Sequence, residues 1–171
     1  MMRRLAFALL IGLTAFAPVA HATEIVARSA AERGPVTNLP LPRFVSLKAA
    51  EGNVRRGPSR THRVDWVFKR RNMPLQVVSE YGHWRRVVDR DGAGGWMHYS
   101  LLSGARTAIV TLDKLPLHVR PDPSTRVVAY AEEGVVARLG ECAAGWCEVR
   151  VGGVEGWSPM AHLWGAGAPA P

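Results

Sequence analysis

Only two cysteines occur in 171 residues, Cys142 and Cys147, which excludes both a four-thiolate zinc site and a scaffold held by several bridges. The chain has no His-x-x-His, His-Glu-x-x-His or His-x-Glu pattern and no glycine-rich phosphate loop after a strand. The hydrolytic-metal and nucleotide-binding classes therefore lack their signatures, and no metal or cofactor is expected. Nor does any segment beyond the first residues keep helical spacing for three turns. Acidic groups are the minority, 14 Asp and Glu against 22 Lys and Arg, for a net charge of +8. Catalytic candidates are equally thin. Cys147 has a thiol five residues away to pair with, and Asp89 and Asp91 flank a turn that they suit as capping residues. No enzymatic activity is expected.

What the chain does have begins at its start. Met1-Met2-Arg3-Arg4, an apolar stretch from Leu5 to Ala17 and the small-x-small site Ala20-His21-Ala22 predict a secretory signal peptide over residues 1–22. The apolar stretch is shorter than the about 20 residues of a membrane span, and no transmembrane segment is expected after cleavage. The expected location is the periplasm or the exterior. Such a compartment suits a Cys142–Cys147 disulfide across a short hairpin, worth roughly 2 kcal/mol by loop closure, over a redox pair or metal site. Residues 23–42, with Gly34-Pro35, Pro40 and Pro42, predict an exposed leader, and residues 166–171 a flexible tail.

Between them one pattern is written twice. Asn53-Val54-Arg55-Arg56-Gly57-Pro58-Ser59 returns as His118-Val119-Arg120-Pro121-Asp122-Pro123-Ser124, followed by Trp84 and Gly95-Trp96 in the first copy and Trp146 and Gly156-Trp157 in the second. The offsets, 65 at the valines, 62 and 61 at the tryptophans, predict two small domains, 43–106 and 107–165, that differ by loop deletions. Short β-branched and aromatic runs predict strands in both: Phe44 to Leu47, Trp66 to Phe68, Leu75 to Val78 and Trp84 to Val88, then Ala108 to Val110, Val127 to Tyr130, Val135 to Ala137 and Trp146 to Val149. Asp91-Gly92 and Gly152-Gly153 are the predicted hairpin turns. The fold class is all-β, as two tandem barrels, an architecture that removes sheet edges by closing on itself.

Each copy resembles a bacterial SH3-like (SH3b) domain in its x-Val-Arg opening, the Trp three residues before a Val, and the Gly-Trp that leads through a turn to Leu. The resemblance implies binding without catalysis, to peptidoglycan or to envelope peptides, in a groove beside the first long loop. Carried over, that groove lies near Arg56 to Asp65 and is lined by Trp66, Trp84 and Tyr99. In the second copy Ala129 and Ala131 stand where the first has Trp66 and Phe68, with Tyr130 nearby, which speaks against a second groove.

Trp96 and Trp157 are expected in the core, whereas strand alternation leaves either face open to Trp66 and Trp84. Charge separates the copies further. Residues 43–106 hold 13 basic and 5 acidic side chains, and residues 107–171 hold 5 and 7. Arg55, Arg56, Arg60 and Arg63 crowd the first loop, Lys69, Arg70 and Arg71 the next, and Arg85 and Arg86 follow Trp84. This surface suits an anionic partner, or serves solubility alone. Export argues against nucleic acid. The expected partner is peptidoglycan or another anionic envelope component, contacted mainly through the first domain; the alternative is an adaptor for envelope peptides or proteins that uses the same groove or the seam between domains.

Overall fold

The computed structural model describes residues 32–167. The expected signal peptide, residues 23–31 of the leader and residues 168–171 of the tail lie outside the described residues. Two short strands come first, β1 (Glu32–Arg33) and β2 (Pro40–Leu41). The first barrel comprises β3 (Arg43–Leu47), β4 (Gly52–Arg55), β5 (Val64–Phe68), β6 (Pro74–Tyr81), β7 (Trp84–Val88), β8 (Gly94–His98) and β9 (Leu102–Ser103). The second comprises β10 (Thr107–Val110), β11 (Lys114–His118), β12 (Val127–Glu132), β13 (Val136–Ala143), β14 (Trp146–Val151), β15 (Val154–Pro159) and β16 (Leu163–Trp164). A single 3-10 turn, Tyr99–Leu101 or Met160–His162, precedes the last strand of each. No helix among the described residues is long and apolar enough to cross a membrane.

Both sheets are antiparallel with seven strands, and their orders are the same: β5-β4-β8-β7-β6-β3-β9 and β12-β11-β15-β14-β13-β10-β16. The all-β class and the duplication therefore hold, but the repeat runs in a different register from the one its letters suggest. Arg55 pairs with Trp96 as His118 pairs with Trp157. The loop bonds Arg56 N to Arg63 O and Val119 N to Arg126 O also correspond, 63 residues apart. The first loops are thus equal in length. The partner of Val54 is Leu117, both buried, whereas Val119 is 45% exposed and stands where Arg56 does.

Each barrel has its own core. Alternation turns Leu47, Val54, Leu75, Val77, Val87 and Met97 inward in the first, and Val110, Leu115, Leu117, Ala137 and Val149 in the second. Trp96 and Trp157 are not among them. On β8 and β15 the inward positions are Met97 and Ser158, the latter donating to Pro116 O at 2.6 Å, so both tryptophans lie on the outer face, half-buried. The glycine before each Trp answers to close approach: a Cβ on Gly95 would lie 2.5 Å from Arg55 O, and one on Gly156 would lie 2.9 Å from Leu117 Cβ.

Residues 32–42 are largely exposed, as their prolines suggest, but they are folded onto the first barrel. β1 pairs with β2, Pro40 and Leu41 are buried, and Glu80 on β6 reaches back to hold the turn between the two strands. Ala166, assigned to the tail, is 1% exposed and belongs to the second core, because Ala166 N closes a turn onto Leu163 O. The barrels touch through Arg70 Nη1 to Gly134 O (2.7 Å), Arg90 to Glu133 (3.0 Å) and the edge-on rings of Phe44 and Trp164 (5.1 Å).

Cys142 and Cys147 form the expected disulfide, at facing positions of β13 and β14. Reduction of the intact chain is expected to lower its unfolding free energy by roughly 2 kcal/mol. Urea midpoints with and without thiol measure this, and coincident midpoints contradict it.

Candidate functional site

On β7, alternation sends Trp84 and Arg86 outward and Arg85 and Val87 inward. The register sets Trp84 opposite His98 and Arg86 opposite Trp96. The 3-10 turn then brings Tyr99 beside His98. The result is one aromatic surface: Trp84 stands edge-on to His98 with centroids 5.5 Å apart, His98 lies 4.9 Å from Tyr99, and His83 lies 5.6 Å from Tyr99. Against it Asn53, Arg55, Arg60 and Ser100 complete an open cleft of ≈ 200 Å³.

The first long loop supplies the cations. Arg55 Nη1 donates to His62 O at 2.7 Å and Arg56 N to Arg63 O at 3.0 Å, which closes the loop and places Arg60 in the cleft wall. Ser59 Oγ accepts from Thr61 N at 3.1 Å and shapes the tip. Burial, then the charges of Arg60, His83 and Arg85, hold the His98 imidazole below its ordinary value. Ser100 N donates to its Nδ1 at 3.4 Å, with Ser100 Oγ 2.7 Å away, an arrangement that favours the neutral tautomer with its proton on Nε2. The cleft thus combines guanidinium groups, an imidazole donor, an amide and three ring faces or edges. Such a set grips an anion attached to a flat or apolar body.

The residues expected from sequence divide accordingly. Arg55, Arg60 and Trp84 line the cleft, and Tyr99, 50% exposed, flanks it. Trp66 is 52% exposed but sits on the edge strand β5 opposite Val54, outside the cleft lining. Arg56 and Arg63 both bind Asp65, at 3.2 and 2.8 Å. The Arg63 hydrogen bond, with Arg56 behind it, outweighs the effect of burial and holds the Asp65 carboxyl below its ordinary value. Arg71 is exposed, one residue beyond Arg70, whose guanidinium is spent on the second barrel.

Arg85 is a correction. It is 8% exposed, lies 3.4 Å from Glu80 and donates to Gly82 O and Trp84 O at 2.9 Å each, because its strand position faces inward. The exposed cation beside Trp84 and Trp96 is Arg86. Asn53, His83, His98 and Ser100 were missed. Pairing Trp84 to Val88 with the Gly-Trp strand across Asp91-Gly92 would have found His98, since that hairpin register sets it against Trp84.

The second barrel keeps the frame and loses the chemistry. Trp146 faces Pro159 as Trp84 faces His98, Met160 opens the turn that Tyr99 opens in the first, and His118 stands for Arg55. His118 is 6% exposed, stacks edge-on against Trp146 at 5.6 Å and, with Nδ1 3.0 Å from Thr125 O, closes its loop as Arg55 does.

Two stretches, residues 48–104 and 113–165, match the family model described as Bacterial SH3 domain. No curated protein sequence matches the chain. Among solved structures it is similar to NlpC2 and NlpC1 from Trichomonas vaginalis, at 9% and 10% identity and TM-scores of 0.34 and 0.32. These alignments cover 71% of this chain but 47% and 45% of those chains, so it spans less than half the length of either.

Proposed function

From the premise that the chain belongs to the bacterial SH3 domain family in both of its halves, we propose that it is a non-catalytic exported binding protein whose first barrel contacts anionic cell-envelope material, peptidoglycan foremost. The observation that carries this reading is the cleft of Arg55, Arg60, Trp84 and His98, together with its replacement by His118, Pro159 and Met160 on an otherwise equal frame. Tyr99 flanks this cleft, and Arg86 stands exposed on the same face of β7 as Trp84. The disulfide fits an exported protein. The non-catalytic part rests on the family to which both halves belong.

Co-sedimentation of the purified chain with peptidoglycan tests it. Binding at low salt is expected, and changing both Arg60→Ala and Tyr99→Ala is expected to weaken it about tenfold, since each is an exposed contact worth on the order of 0.5–1 kcal/mol. Raising salt toward 1 M, where the screening length falls to about 3 Å, releases the chain. A chain that stays in the supernatant at low salt, or a double variant that binds like the parent, overturns the reading.

A further inference from the structure

A second site lies at the seam between the barrels and does not depend on the cleft reading. Pro40, Phe44 and Val45 on one side and Arg106, Thr107 and Gly165 on the other bound a cavity of ≈ 170 Å³. A single water needs only about 10–15 Å³, so this space takes a molecule. Its walls are largely apolar, and among the described residues the charged side chains that line it are Arg43 and Arg106.

Three observations give this cavity a polarity. Arg43 and Arg85 share one carboxylate, Glu80, so the cluster behind the wall carries one uncompensated positive charge. Arg43 meets Glu80 through Nη2, at 2.6 Å, and its Nη1 is buried without a hydrogen-bond partner. Thr107 Oγ1, across the cavity, is also buried without one. A buried polar group left unpaired costs about 1–3 kcal/mol. Arg43 and Thr107 both line the cavity, so each unpaired donor belongs to a side chain that an occupant meets.

We propose that the seam binds a free peptide C-terminus with small apolar side chains. One carboxylate oxygen takes Arg43 Nη1 and the other Thr107 Oγ1, the side chains rest on Phe44, Val45 and Pro40, and Arg106, whose guanidinium donates to Gly140 O and Cys142 Sγ, contributes only the field of its charge. A carboxylate fits better than a phosphate: one edge of Arg43 is already given to Glu80, and the apolar walls penalise desolvation of a second negative charge. The site needs both barrels, since neither supplies Arg43 and Thr107 together with Gly165.

The probe is acetyl-Ala-Ala as the free acid, set against its C-terminal amide, titrated into the full chain and followed by backbone amide resonances. The acid is expected to move Phe44, Arg106, Thr107 and Gly165 and to bind at least tenfold tighter than the amide. Thr107→Val is expected to weaken the acid roughly fivefold, in line with loss of one hydrogen bond, and Thr107→Ser to restore it. Resonances of Trp84 and His98 stay in place, which keeps this site distinguishable from the cleft. Equal binding of acid and amide, no shift at the seam, or a Thr107→Val chain that binds like the parent overturns the proposal.

Discussion

Glu80→Ala is expected to destabilise the chain by roughly 3–5 kcal/mol, the range for removing one partner of a buried ion pair. The Glu80 side chain is fully buried, and its two oxygens serve an entire cluster: Arg43 Nη2 at 2.6 Å, Thr37 Oγ1 at 2.7 Å, Thr37 N at 2.9 Å and Val36 N at 3.1 Å. Without it Arg43 and Arg85 face each other in a desolvated pocket, and the turn between β1 and β2 loses its anchor. Urea unfolding read by Trp fluorescence gives the loss. Amide exchange at Val36 and Thr37 should rise out of proportion to the global change. A loss below about 1 kcal/mol contradicts the anchoring role.

The same cluster sets a pH dependence. Burial pushes the Glu80 carboxyl up, but the hydrogen bonds from Thr37, Arg43 and Val36 outweigh it and lower its value from 4.5 to about 2. The folded value lies below the unfolded one, so the stabilisation is complete above pH 4.5 and drains away as pH falls toward 2. On the scale of 1.36 kcal/mol per unit, that is roughly 3 kcal/mol. In Glu80→Gln the acid limb should flatten.

Gly95→Ala is expected to cost roughly 3 kcal/mol or more, the upper end for overpacking. The new methyl would sit 2.5 Å from Arg55 O and 3.0 Å from Val54 Cγ1, so the clash is with backbone that cannot rotate away. Gly92→Ala is the control. Gly92 has φ +84° at the β7–β8 turn with nothing within 4 Å, so its replacement carries only the left-handed penalty of about 1 kcal/mol. Because Arg55 O belongs to the residue that closes the first loop, Gly95→Ala should also weaken ligand binding, whereas Gly92→Ala should not. Thermal or urea unfolding of the two variants side by side decides it; equal losses contradict the close-approach account of the Gly-Trp pair.

The parts of this molecule that sequence made legible were the local ones. β-branched runs bounded by Gly, Asn and Asp fixed most strands, and the spacing of Cys142 and Cys147 fixed a bridge between facing hairpin positions. The repeat was visible, yet its letters misled. Val54-Arg55 and Val119-Arg120 match by eye, but the core position in the second barrel is Leu117, because hydrogen bonds rather than residue names set the register. Which face of β7 looks outward was closed to sequence, since a period of two fits either choice equally. That ambiguity put Arg85 in the site when alternation buries it and leaves Arg86 exposed. The docking of residues 32–42 depends on Thr37 meeting Glu80, 43 residues away, a polar contact that no local pattern announces. His83 and His98 are 15 residues apart in sequence and meet only when the β7–β8 hairpin closes.

The central claim, that one barrel carries the ligand site and its twin does not, is tested most directly by mapping amide resonances of the full chain as soluble peptidoglycan fragments are added at low salt. The account predicts shifts at Asn53, Arg60, Trp84, His98 and Tyr99 that vanish at high salt, with His118, Trp146 and Met160 unmoved. Shifts centred on the second barrel, or none at saturating fragment, would contradict it.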